Sequence, residues 1–385
     1  MNQAGTTCDI FCRVVDNFGD VGVAWRLARQ LVQEYRFSAR LIVDDLASFS
    51  RIEPAVDISR ESQEIRGITV IVWDRADNLE PAELVIEAFA VNIPTSYIAS
   101  MAAKVRPPIW INLEYLSAEP WVGKHHLLPS PHPTLPLTKY FFFPGFAPDT
   151  GGLIRECKLL ADRDRFSKSC VETELRVFLF SYANAARDNL IQAMCESGKS
   201  VRCTIPDSAL ATNHARGIQI QSDVSSDVSI VVLPFSAQPS FDQLLWRQHV
   251  LFVRGEDSFV RAQWAARPFI WHVYPQSEGT HWIKLNAFLL IYCDGLEGEA
   301  ASSVRELWRA WNAEDRENIG AAWLRYMEHL PTLQAHAEAW SIKLAQMPDL
   351  VANLLSFYQK NTKIESFAKS HLLAITTPNK FQDTK

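Results

Sequence analysis

The chain has 385 residues, 48% apolar and 21% charged. That is enough for two or three packed domains and excludes a disordered or fibrous polymer. A net charge of −6 argues against non-specific nucleic-acid binding, which needs a basic surface.

The first apolar run, Asp9–Val15, is predicted to be a strand. It leads into Asp16-Asn17-Phe18-Gly19-Asp20 and a helical pattern from Val23 to Leu31. A strand, a glycine-bearing turn and a helix often cradle a phosphate. Here two aspartates occupy the turn and would repel one, so it suits a cation or a group that must lose a proton. Asp16 and Asp20 can activate a nucleophile, or they can serve as turn and helix-cap residues. Gly19 and Gly22 do not complete GxGxxG, which counts against a nicotinamide-dependent oxidoreductase.

Further strands are predicted at Arg40–Val43, Ile68–Trp73, Leu84–Phe89, Ile109–Leu113 and Tyr140–Phe143, with helical patterns between several of them. This alternation implies a parallel sheet covered on both faces. Leu127–Phe146 is rich in proline and aromatics and reads as surface chain. Gly151–Ser169 is charged and irregular and reads as a linker. Alternation resumes with strands at Arg176–Ser181, Val201–Ile205, Ser229–Leu233, Val250–Val253 and Pro268–Val273. Helices are expected at Ala186–Glu196, Phe241–Arg247, Ser258–Ala266 and His281–Leu290, then throughout Ser303–Gln359, with a mixed tail to Lys385. The expected organisation is α/β, two Rossmann-like domains facing a central cleft. The first spans residues 1–155, the second 170–355, and 356–385 form a C-terminal helix or tail.

Two segments in the second half carry candidate chemistry. In Arg254-Gly255-Glu256-Asp257-Ser258, a cation, a small residue and a helix start would suit a diphosphate, with Glu256 and Asp257 bonding sugar hydroxyls or steadying Arg254. The same residues would also make a capped, salt-bridged helix start. In Pro234-Phe235-Ser236-Ala237-Gln238-Pro239-Ser240-Phe241, the two rings could sandwich a base and Gln238 read its edge, or the rings could anchor the loop to the core. Phe180 and Tyr182 invite the same two readings. Seven cysteines without CxxC spacing and histidines without HExxH spacing suggest reduced thiols and no metal site. No apolar run is long enough for a membrane span, and Met1–Thr7 has no signal-peptide pattern, so a cytoplasmic location is expected.

Several ordered segments resemble one family. They are Val15-Asp16-Asn17-Phe18-Gly19-Asp20, Trp25-Arg26-Leu27-Ala28-Arg29, Val85-Ile86-Glu87-Ala88-Phe89-Ala90, Asn112-Leu113-Glu114-Tyr115-Leu116-Ser117-Ala118-Glu119 and Gly151-Gly152-Leu153-Ile154-Arg155-Glu156. The strongest is Arg254-Gly255-Glu256-Asp257-Ser258-Phe259-Val260-Arg261-Ala262-Gln263, followed by Trp271-His272-Val273-Tyr274-Pro275-Gln276. The chain is similar, over residues 10 to 290, to the EarP family of protein-arginine rhamnosyltransferases. The resemblance implies an inverting GT-B glycosyltransferase. It would move rhamnose from dTDP-β-L-rhamnose to an arginine of elongation factor P, activating that factor for ribosomes stalled on polyproline. It further implies Asp20 as general base, Asp16 as its partner and Glu256 as an essential glutamate. Phe180, Tyr182, Phe235, Gln238, Phe241, Arg254, Glu256, Asp257 and Ser258 would contact the nucleotide sugar, with no metal or cofactor and no nucleic-acid or membrane partner. The alternatives are a GT-B enzyme with another nucleotide sugar or a saccharide acceptor, and a non-catalytic protein-binding module.

Overall fold

A computed structural model describes residues 5–15, 18–167, 174–207, 228–234 and 236–362. The first domain is built on an eight-stranded sheet. Its strands in chain order are β1 (Thr7–Cys12), β2 (Ser38–Val43), β3 (Ser62–Ile65), β4 (Ile68–Val72), β5 (Leu84–Ala88), β6 (Ile109–Leu113), β7 (Pro129–Pro131) and β8 (Thr138–Phe142). They lie side by side as β3-β4-β2-β1-β5-β6-β8-β7. The six inner strands are parallel; β3 and β7 pair antiparallel at the two edges. The central parallel strands β1, β5 and β6 are buried along nearly their whole length, which explains their apolar runs.

The second domain holds a five-stranded sheet: β9 (Leu175–Leu179), β10 (Val201–Pro206), β11 (Val228–Leu233), β12 (Val250–Arg254) and β13 (Phe269–His272). Their spatial order is β11-β10-β9-β12-β13, all parallel. Two domains with parallel sheets covered by helices match the expected α/β, GT-B organisation.

The helices used below are α1 (Gly19–Tyr35), which follows β1, α2 (Leu159–Ser167), α3 (Gln238–Trp246), α4 (Asp257–Ala265), which follows β12, and α5 (His281–Tyr292). Aromatic rings support α4 from behind. Phe259 stacks on Trp271 with centroids 3.9 Å apart, and Phe288 meets Phe259 edge-on at 4.8 Å. Many of the chain's aromatics are thus core residues; Trp25, Trp308, Trp311 and Trp323 are fully buried.

Several expectations are corrected. The first strand ends at Cys12 rather than Val15, which is 70% exposed. Val14 leaves the sheet because its N–H donates to Asp44 (2.9 Å). The polar strand β3 was not predicted; the Arg66-Gly67 turn, with φ of 54° and 81°, folds it back on β4. The supposed linker contains α2, whose Phe166 packs on Trp246 of α3. The expected boundary at residue 355 falls inside a helix spanning 350–362. That helix returns to the first domain, with Phe357 against Tyr140 and Tyr358 against Phe37. The tail from residue 363 lies outside the described residues. Among the described residues, no helix is long and apolar enough to cross a membrane.

Candidate active site

The two domains meet along the first half of α1. Gly22 on α1 faces α4, where an added Cβ would meet the Asp257 side chain at an ordinary contact distance of 3.5 Å. The Gly22 carbonyl accepts from Gln238 Nε2 (2.9 Å). Next to this contact lies a buried ionic cluster. Arg26 Nε donates to Asp257 (2.6 Å), and its Nη1 lies 3.2 Å from Glu156 and 3.5 Å from Asp242. Arg261 forms a two-pronged bond to Asp242 (2.6 and 2.7 Å) and reaches Glu156 (2.6 Å). Burial alone would raise Glu156, but Arg261 and Arg26 outweigh it and hold the carboxyl well below the usual range. This cluster joins helices of both domains and the segment between them.

A cavity opens beside α1. Phe18 and Gly19 line it from the first domain. Phe180, Tyr182, Gln238, Phe241, Arg254, Asp257 and Ser258 line it from the second. The sequence-predicted nucleotide-contacting residues therefore converge, apart from Glu256, which sits beside the cavity, and Phe235, which lies outside the described residues.

Arg254 is the fixed cation of this cavity. Its guanidinium lies 4.4 Å from the Phe180 ring centre and 4.8 Å from that of Tyr182, and its Nη1 donates to the Ser181 carbonyl (3.0 Å). Gly255 follows with φ of 60°, a turn that favours glycine. Ser258 closes the loop: its hydroxyl accepts from Arg254 N–H (3.1 Å) and donates to the Arg254 carbonyl. The helix begins at Asp257, and the Ser258 hydroxyl braces the loop rather than standing free for a ligand. Of the two acids beside it, Asp257 holds Arg26, and Glu256 bonds across the cleft. Phe241 packs edge-on against Phe178 and Phe180. Gln238 is 4% exposed, and its Oε1 has no partner among the described residues. Burial, then the nearby Arg254 charge, pushes His272 down to about 3, so it is neutral at physiological pH.

Across the cleft, Asp20 lies in the first turn of α1 and is 3% exposed. It does not cap the helix. Its Oδ2 accepts from Val15 N–H (2.8 Å), pinning the loop that leaves β1. Asp16 lies outside the described residues. Glu256 Oε2 accepts from Leu116 N–H (2.8 Å), a bond from second domain to first. Burial pushes Glu256 up to about 7; the Leu116 bond and Lys284 oppose this, while Asp20 and Asp257 add to it. Asp20 and Glu256 therefore sense each other's charge.

Sequence reasoning assigned no role to Tyr115, Lys284 or Glu114. Burial, then the charges of Asp20 and Glu256, raise the Tyr115 hydroxyl well above its usual range. Lys284 on α5 lies 5.4 Å from the Tyr115 ring centre. Burial raises Glu114, while its bond from Asn112 and then Lys139 and Lys284 counter the rise. Tyr115 and Glu114 were within reach, since both lie in the Asn112–Glu119 segment that resembles the family. Lys284 carries no local signal. Among the described residues, no group of three or more His, Cys, Asp or Glu could hold a metal ion.

Two parallel-sheet domains joined along a cleft, with a cation-lined cavity on one side and a buried carboxylate on the other, define a GT-B glycosyltransferase. The protein is similar over 376 residues to a protein-arginine rhamnosyltransferase of Pseudomonas putida, at 43% identity, covering 92% of this chain and 99% of the relative. A protein-arginine rhamnosyltransferase of Pseudomonas aeruginosa is 41% identical, covering 91% and 98%. A solved structure concerning EarP-mediated arginine glycosylation of translation elongation factor EF-P superposes with a TM-score of 0.64 at 32% identity, covering 92% of this chain and 99% of that one. The model of the elongation factor P (EF-P) rhamnosyltransferase EarP family matches residues 8–359, and the chain belongs to this family of protein-arginine rhamnosyltransferases.

Proposed function

We propose that this enzyme transfers L-rhamnose from dTDP-β-L-rhamnose to an arginine side chain of elongation factor P, with inversion at the anomeric carbon. The observation that carries the reading is the opposition of charge across one cleft. A buried carboxylate, Asp20, stands on the first domain, and a stacked guanidinium, Arg254, lines the cavity of the second. The first suits a cationic acceptor and the second an anionic donor. The family and its EF-P-linked structure support the acceptor.

The nucleotide occupies the cavity beside Phe180, Tyr182, Phe241 and, by the resemblance, Phe235. The unpartnered Gln238 Oε1 accepts from an N–H on the base edge. Arg254 and the start of α4 take up the negative charge of the departing diphosphate, with no metal assigned to the step. Asp257 supports this wall through Arg26, and Ser258 through the Arg254 backbone.

The acceptor sets the harder problem. A guanidinium has a pKa near ~13.8, so deprotonating it in advance at neutral pH costs roughly 9 kcal/mol. A carboxylate cannot do that beforehand. Asp20, with Asp16 as partner, orients the guanidinium by charged hydrogen bonds. One nitrogen attacks the anomeric carbon, the bond from that carbon to the diphosphate oxygen breaks with its electron pair, and the proton passes late to Asp20. Glu256, tied to Leu116, positions the sugar between the two. Incubating the protein with dTDP-β-L-rhamnose and elongation factor P should add one deoxyhexose to one arginine, read by mass spectrometry. No addition under conditions where the donor binds would remove elongation factor P as the acceptor.

A further inference from the structure

A second cavity lies at the ionic cluster that joins the domains. Arg26 and Arg29 of α1 line it from the first domain, Asp242 and Arg261 from the second, and Glu156 and Lys158 from the segment between them. It shares no lining residue with the cavity that holds Arg254.

The carboxylates of this second cavity are already engaged. Arg261 grips Asp242 with two nitrogens, and Glu156 lies between Arg261 and Arg26. Asp162, at the exposed edge, pairs with Arg165 (3.2 Å). The cations are not all matched in return. Arg26 is 2% exposed, and its Nη2 is buried with no hydrogen-bond partner among the described residues. A buried donor without a partner is rare, and a guanidinium has only donors to offer. Arg29 lies three residues on, along the same side of α1. It makes no hydrogen bond or ion pair among the described residues, and its Nε is buried without a partner. Burial, then the Arg26 charge, lowers its guanidinium from the ordinary value, with Glu156 opposing. Lys158 is exposed. Next to it α2 begins at Leu159, in the cavity wall, and brings the positive end of its dipole.

We infer that this cavity binds a small tetrahedral oxyanion of the phosphate class, held by Arg26 Nη2 and the Arg29 guanidinium, with Lys158 at its mouth. Such an ion offers only acceptors, which is what these donors lack, and its oxygens match the fork of a guanidinium. Bound there, it ties α1 of the first domain to the segment between the domains and stiffens the joint. The inference depends on neither the donor nor the acceptor proposed above.

The test is binding of inorganic phosphate and of methyl phosphate to the full chain, by calorimetry and thermal unfolding, against chloride at equal ionic strength. The other cavity also holds a cation, so each measurement is repeated on Arg254→Ala. Phosphate at about twenty times its Kd should raise Tm by about 3 °C in both proteins. A response to phosphate alone assigns the free ion, and a response to both probes assigns a phosphate group on a larger molecule; either supports the site. Arg29→Met keeps the apolar stem, removes the charge and should weaken phosphate binding at least tenfold, roughly the loss of one charge-assisted pair of bonds. Lys158→Met, at an exposed position, should weaken it about threefold and serves if Arg29→Met folds poorly. No stabilisation beyond that of chloride, loss of the effect in Arg254→Ala, or full affinity in both Arg29→Met and Lys158→Met would overturn the inference.

Discussion

Two loops of this molecule share one topology and have opposite chemistry. Each follows a buried parallel strand, β1 or β12, and each enters a helix, α1 or α4. Each N-terminus offers unpaired backbone N–H groups and a positive dipole end. In the first loop an aspartate folds back on Val15 N–H and presents a carboxylate. In the second, an arginine lies against two aromatic rings and presents a cation. The strand-to-helix arrangement that often takes a phosphate is common to both. The side chains decide which one takes it, and the acidic loop is left for a cationic nucleophile.

The comparison can be broken by neutralising either side. Asp20→Asn keeps the shape of the acidic loop and removes its base; kcat should fall about 10³-fold in a mass-spectrometric transfer assay. A fall of less than tenfold would strip Asp20 of that role. Arg26→Met tests what holds the two loops together. It leaves the half-buried Asp257, Asp242 and Glu156 with one arginine, and should destabilise the protein by about 3 kcal/mol in urea denaturation. Unchanged stability would mean that the cluster does not lock the domains.

Arg254→Ala should lower kcat/KM about 10²-fold through the donor. Arg254→Lys should not restore it, because an ammonium lacks the planar face that lies on Phe180 and Tyr182. Full rescue by lysine would reduce Arg254 to a point charge. The smallest effect concerns Glu256. Burial pushes it from 4.5 to about 7, so between those pH values the folded chain keeps a proton that the unfolded chain has released. Stability should therefore fall as pH rises through that window, by about 2–3 kcal/mol. Glu256→Gln stays neutral and should lose that part of the slope. Identical pH profiles in thermal unfolding would show that the carboxyl is not held in this way.

The fold was largely legible in the sequence because parallel strands buried on both faces leave continuous apolar runs, as in Leu84–Ala88 and Ile109–Leu113. The edge strands β3 and β7 lack such runs, being polar or proline-rich, and were missed. In the site, Arg254, Asp20 and Glu256 were legible as residues and their partners were not. Asp257 is held by Arg26, which lies 231 positions away, and Gln238 meets Gly22 at a separation of 216. Contacts between domains leave no periodicity in either segment. The Ser258 hydroxyl was read as a ligand donor because its bond to the Arg254 backbone depends on the turn that Gly255 makes.

The division of labour between the loops is tested most directly by the affinity of dTDP-β-L-rhamnose for three proteins, measured by calorimetry: wild type, Asp20→Asn and Arg254→Ala. The expected result is unchanged donor affinity in Asp20→Asn, despite its lost transfer, and at least tenfold weaker binding in Arg254→Ala. Equal weakening in both variants, or full affinity in Arg254→Ala, would contradict a cleft with an acidic acceptor side and a basic donor side.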